Sequence, residues 1–160
     1  GSIAHEWFHA FDHYIADKLF EKTGKGEFGS SLWLARDDAI SHPLNDRLQA
    51  CYRTILLNEA GTAPSELFHK SAVADKAAGV HYFSKPEELC ARAFEAFVQD
   101  SGYKNAFLVS GTRETEEARM GLYPRDHQRE TINRAFRDYF SNLGRALQRL
   151  ESEKDGIKRT

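Results

Sequence analysis

The five residues His5-Glu6-Trp7-Phe8-His9 stand inside a run where Ile3, Trp7, Phe8, Phe11, Ile15, Leu19 and Phe20 recur at the spacing of a helix, up to about residue 22. This pairing of motif and periodicity constrains the chain more than any other feature. A helix turns once in 3.6 residues, so positions four apart share a face and both imidazoles can reach one Zn²⁺. Two histidines do not complete a zinc site, so another segment has to bring a third donor against that face. Glu6 projects about 60° to one side of His9, which lets it hold water beside the metal without ligating it. His13 extends the row but lies about 12 Å along the axis from His5, beyond the reach of the same ion. Asp12, three residues after His9 and seven after His5, either accepts a hydrogen bond from a ligand imidazole or lies on the solvated face.

Further helices follow. Gly24 and Gly26 end the first run. Pro43, after His42, opens a helix striped by Leu48, Cys51, Tyr52, Ile55 and Leu56 and closed by Gly61. Pro64-Ser65-Glu66-Leu67 begins a third that ends at Gly79. Ser84 as N-cap, with Pro86 in the first turn, starts a fourth that buries Leu89, Ala93, Phe94, Phe97 and Val98 and reaches about Gln99. The last begins near Asp126 and shows Ile132, Phe136, Tyr139, Phe140, Leu143, Leu147 and Leu150 as one apolar face. Leu32-Trp33-Leu34 and Val80-His81-Tyr82-Phe83 are expected to be short strands, Asn105 to Ser110 extended, and Gly111 to Gly121 a polar loop or short helix. The fold class is mainly α with minimal strand, as a single domain over residues 1–152 and a frayed tail over 153–160.

Composition excludes several classes. The chain has 160 residues, 41% of them hydrophobic, enough for one core without staples. No stretch approaches the roughly 18 apolar residues of a membrane span, and no signal peptide is visible. The formal charge of -2 argues against nucleic-acid binding. Residues 125–160 carry nine basic and six acidic side chains, a solvated helix face rather than a phosphate-binding patch. Cys51 and Cys90 form no CxxC pattern and read as reduced thiols in a cytoplasmic protein. His42, His69 and His127 read as structural or surface residues, and Arg113, Arg119 and Arg125 as members of solvated loops.

The third donor is sought among carboxylates on other helices. Glu59 lacks the aspartate four residues on that a thermolysin-type second helix carries; that place is Ala63. On the fourth helix, spacing leaves Glu87, Glu88 and Glu95 open, with Glu88 and Glu95 on one face and Glu87 about 100° away. The run YFSKPEELCARAF, Tyr82 to Phe94, resembles the second half of a gluzincin site of the lethal-factor type. That resemblance implies Glu88 as third zinc ligand and Tyr82 as a hydrogen-bond donor to the tetrahedral oxyanion. The interval from Tyr82 to Glu88 is one residue shorter than in that family. Arg92 replaces its second glutamate, so the groups behind the ligands must differ.

A wider resemblance covers most of the chain. HEWFHAFDHY, HYFSKPEELCARAFEAFVQD and YPRDHQRETINRAFRDYF, in that order, resemble a zincin-like large polyvalent protein-associated domain. Such domains occur in large multidomain proteins of phages and conjugative elements. The resemblance implies a bacterial, cytoplasmic metallopeptidase-like domain, expressed or delivered with mobile DNA. Only four residues precede His5, so the sheet that precedes the motif helix in zincins is expected to be missing and the chain to be a fragment. The functional expectation is a zinc-dependent endopeptidase: His5, His9 and Glu88 hold Zn²⁺, Glu6 is general base and then acid, Tyr82 stabilises the oxyanion and Asp12 orients a ligand. Its partner is a peptide or protein substrate, with neither nucleic acid nor membrane. The rival expectation is an inactive zincin-like module that binds a protein or the accompanying DNA.

Overall fold

The computed structural model describes residues 2–102 and 111–159, so the extended segment expected at Asn105 to Ser110 lies outside the described residues. Among the described residues seven helices follow one another: α1 (Ile3–Leu19), α2 (Gly29–Ala35), α3 (Pro43–Leu56), α4 (Glu66–Ala78), α5 (Pro86–Asp100), α6 (Glu116–Arg119) and α7 (Asp126–Arg159). Among the described residues there is no strand, and β-type pairing is limited to one antiparallel bridge, Leu57 with Pro64. The mainly α expectation holds.

The helix ends obey local chemistry. Ser2 caps α1 by accepting from the His5 backbone N–H, and Ser65 caps α4 by accepting from Phe68. His42 caps α3 through its ring, with Pro43 in the first turn. Gly79 ends α4 with φ at 67°, a left-handed conformation that a side chain would strain.

α5 is the central helix and packs against α1, α2, α3, α4 and α7. Residues Glu88 through Ala96 are all buried, so α5 has no solvated face over more than two turns. Its small residues Cys90, Ala91, Ala93 and Ala96 let the neighbouring helices come close. α1 lies along it, with Phe8 wholly buried against Phe94 and Phe136. α3 packs along α7, burying Leu48, Tyr52, Ile55, Leu56, Ile132, Phe136 and Tyr139. Cys51 and Cys90 are free and buried within this core.

Several local expectations are corrected. Leu32-Trp33-Leu34 belongs to α2, not to a strand. A run of three apolar residues does not distinguish the two conformations. The helix wins because the Asp12 carboxylate accepts from both the N–H and the hydroxyl of Ser30 in its first turn. Gly29 makes the approach feasible, since a Cβ there would stand 2.7 Å from the Tyr52 hydroxyl oxygen. Val80 to Phe83 is a turn. The Asp75 carboxylate gathers the N–H groups of Tyr82, Phe83 and Ser84 and the Ser84 hydroxyl. Ser84 is thereby spent, and the residue preceding α5 is Lys85, without a side-chain cap.

The apolar face of α7 also divides. Ile132, Phe136 and Tyr139 are buried and Phe140 and Leu143 half-buried, while Leu147 and Leu150 are exposed. The tail expected to fray continues the helix to Arg159.

Candidate metal centre

Where α1 crosses the first turns of α5, His5, His9 and Glu88 converge. His5 Nε2 stands 3.0 Å from Glu88 Oε2, His9 Nε2 stands 3.0 Å from Glu88 Oε1, and the two Nε2 atoms are 3.0 Å apart. Donor atoms of the three residues all lie within 4.8 Å of one another. Zn–N bonds of 2.0–2.1 Å at tetrahedral angles put donor atoms about 3.3 Å apart. The set therefore fits a zinc ion with little movement, and the nitrogen and oxygen donors suit that metal.

Protonation points the same way. The other nitrogen of His5, Nδ1, is 2.7 Å from Glu95 Oε1. A proton on Nδ1 donated to Glu95 leaves a lone pair on Nε2, facing a Glu88 oxygen that also carries lone pairs. Only a positive charge between them resolves this contact, a second proton or a metal cation. Without metal, burial would lower the His5 pKa, but hydrogen bonds to Glu88 and Glu95 outweigh it and raise the value to about 9. Burial likewise opposes ionisation of Glu88, yet the two imidazoles hold it well below the usual carboxylate range. His9 Nδ1 is buried without a hydrogen-bond partner.

Glu95 is the group that sequence reading did not assign to this task. It sits two turns after Glu88 on the same face of α5, a relation visible in the sequence, and is 2% exposed. Its carboxylate orients His5, and the Tyr123 hydroxyl approaches it at 3.4 Å. Glu87 turns aside and accepts from the Ser31 hydroxyl. Asp12 is fully buried and accepts from Ser30 and from the Tyr52 hydroxyl at 2.8 Å. Its hydrogen bonds tie α1 to α2 and α3, and the carboxylate bonded to an imidazole of the cluster is Glu95, on His5. Burial raises the Asp12 pKa against the pull of those donors.

A cleft of about 290 Å³ opens beside His5 and Glu88, and Glu6, Tyr82, Arg92 and Tyr123 line it. Tyr82 is 46% exposed there. Burial and the Glu88 charge raise its pKa, which keeps the phenol protonated and able to donate. Trp7, in the motif, stacks on Phe11 and Phe94 rather than entering the cleft. A larger hollow of about 370 Å³ lies between the end of α3 and the start of α7, lined by Arg53, Leu57 and His127, and holds none of the converging donors.

The family model of the large polyvalent protein-associated domain 1 matches residues 74–147, from the end of α4 into α7. The match includes Glu88, Arg92 and Glu95 and leaves out His5 and His9. No curated protein and no solved structure matches the chain significantly. No helix among the described residues is long and apolar enough to cross a membrane.

Proposed function

We propose that this chain is a zinc-dependent peptidase domain, with Zn²⁺ held by His5, His9 and Glu88, and that it is part of a larger protein of a bacterial mobile element. One observation carries the reading: three metal-binding donors from two helices meet at near-tetrahedral spacing, beside a cleft lined by Glu6 and Tyr82. The metal would supply acidification of water and polarisation of a peptide carbonyl. Glu95 fixes the His5 ring so that Nε2 presents its lone pair. Glu6 accepts a proton from the attacking water as oxygen bonds to the carbonyl carbon, then returns it to the amine nitrogen as the C–N bond breaks. Tyr82 donates to the carbonyl oxygen as charge grows there. The polyvalent-domain match supports the origin in a multidomain protein, and a cytoplasmic setting follows from the same proposal.

Elemental mass spectrometry tests the metal site. About one zinc per chain is expected, and Glu88→Ala should remove it. Absence of zinc after reconstitution at neutral pH would sink the reading. For the chemistry, full peptidase activity in Glu6→Gln would rule out the base assigned here. A second reading, a non-catalytic module that binds protein or DNA, draws on the family match lying outside α1. DNA binding with a steep salt dependence in a zinc-free protein would favour it.

A further inference from the structure

Among the described residues two arginines are buried, and of these two only Arg129 has a counter-ion there. Arg129, 4% exposed, grips the Asp100 carboxylate with Nε at 2.7 Å and Nη2 at 2.9 Å. Arg92, 5% exposed, makes three hydrogen bonds, all to neutral oxygens. Its Nε donates to the Leu122 carbonyl at 2.6 Å, and its Nη2 to the Phe83 carbonyl at 2.6 Å and the Ser71 hydroxyl at 3.0 Å. Among the described residues no carboxylate pairs with Arg92 and no acceptor meets its Nη1. A buried guanidinium without an anion is costly, and this one forms part of the cleft wall.

We propose that Arg92 is the anion-binding group of the cleft, and that the cleft takes peptides by a free C-terminal carboxylate held through Nη1. This rests on the zinc-peptidase reading. Glu88 and Glu95 flank Arg92 on α5, one turn before it and one turn after, and both are engaged with His5. A divalent cation held by His5, His9 and Glu88 offsets those two carboxylates and leaves the Arg92 charge uncompensated. One helical turn, about 5.4 Å, separates Glu88 from Arg92 along the axis. One to two extended residues, at about 3.5 Å each, span that interval, so a carboxylate bound to Arg92 places the last or penultimate peptide bond near the metal ligands. The Tyr82 side chain shares the cleft and adds a donor. Glu6 and Glu117 line it too, which repels anionic groups everywhere but at Arg92. A single terminal carboxylate fits that pattern; a polyanion does not.

The test compares an N-acetylated alanine tripeptide bearing a free C-terminal carboxylate with the same peptide as its C-terminal amide. Both are titrated into the zinc-loaded protein by calorimetry, with mass spectrometry of the recovered peptides and a zinc determination on the same sample. The acid is expected to bind at least about tenfold tighter than the amide, or alone to lose its C-terminal residue, as a charge-assisted pair would give. Arg92→Gln should erase the difference while zinc content stays near one per chain. Equal behaviour of acid and amide in the zinc-loaded protein, including no binding of either, overturns the proposal and leaves the metal site standing. A chain that takes up no zinc overturns the underlying reading and this proposal with it. The peptide pair decides the matter on the unmutated protein, so a variant that fails to fold does not shield the idea.

Discussion

The two ends of α5 handle buried charge in opposite ways. At its C-terminal end Asp100 receives Arg129, Arg113 and Asn133, and Arg129 also reaches the Thr112 and Pro124 carbonyls. The charged groups there are matched, although Asn133 Oδ1 is buried without a partner, and the result is a fastening between α5, the segment after residue 111 and α7. At its N-terminal end His5, Glu88 and Glu95 crowd together, and among the described residues His9 keeps an orphaned nitrogen and Arg92 has no counter-ion. The charges of the first network, the closed end, are already matched; on the reading proposed above, a cation and an anion would complete the second, the open end. On that proposal the same helix holds a structural joint at one end and a binding site at the other.

The contrast can be broken from either side. The largest effect on folding is expected at the closed end, where Arg129→Ala removes the buried partner of Asp100 and leaves it only Arg113 and Asn133. Removing one member of a buried pair costs about 3–5 kcal/mol, and urea denaturation should show a loss near the lower figure because Asp100 keeps some solvent access. A loss under about 1 kcal/mol would mean that the network is not the fastening described.

At the open end the expected loss is in affinity. Glu95→Gln keeps the shape but removes the carboxylate that orients His5, and zinc should bind about 10–100-fold more weakly in a chelator competition. Unchanged affinity would remove Glu95 from the site.

Both ends should lose stability in acid, since Asp100 and Glu88 are both held below the usual carboxylate range, and the open end alone should add an alkaline loss. Burial opposes the charge on Asp100, but Arg129, Asn133 and Arg113 hold its pKa down to about 2. A carboxylate with a lowered pKa stabilises fully above the unfolded value of about 3.9, and that stability drains as pH falls toward 2. His5 in chelated protein has the reverse sign, since its pKa is raised to about 9. Its contribution is complete below about 6.5 and is lost as pH rises through 9. Thermal melts across pH should therefore show Asp100→Asn reducing the acid limb without touching the alkaline one, and zinc abolishing the alkaline loss. An alkaline limb indifferent to zinc would count against the His5 assignment. The smallest effect is expected at an exposed ion pair outside both ends. Arg47→Ala, which removes the bond to Asp138, should cost less than about 1 kcal/mol because solvent screens the pair.

The sequence carried much of this architecture because helix signals are local. Pro43, Ser65, Gly79 and Pro86 mark starts and stops through their own backbone and side-chain chemistry, and the structure places helix ends at each. It misled where a short segment depends on a distant carboxylate. α2 is fastened by Asp12 and the turn over Tyr82 to Ser84 by Asp75, and neither bond leaves a pattern within the segment it shapes.

The site divides along the same line. That His5 and His9 share a face, and that Glu88 and Glu95 share another, follows from helical geometry and was determined by the order of residues alone. Which carboxylate meets Nε2 and which meets Nδ1 was decided only when α1 settled on α5, a fit made by Phe8, Phe94 and the small residues of the central helix. The same packing sent Asp12 to Ser30 and Tyr52, brought Tyr123 to Glu95 and left Arg92 facing the cleft without an anion. Spacing along a helix is set by covalent geometry and can be read from the residues. Meetings between helices depend on how closely two surfaces pack, which only the folded chain decides.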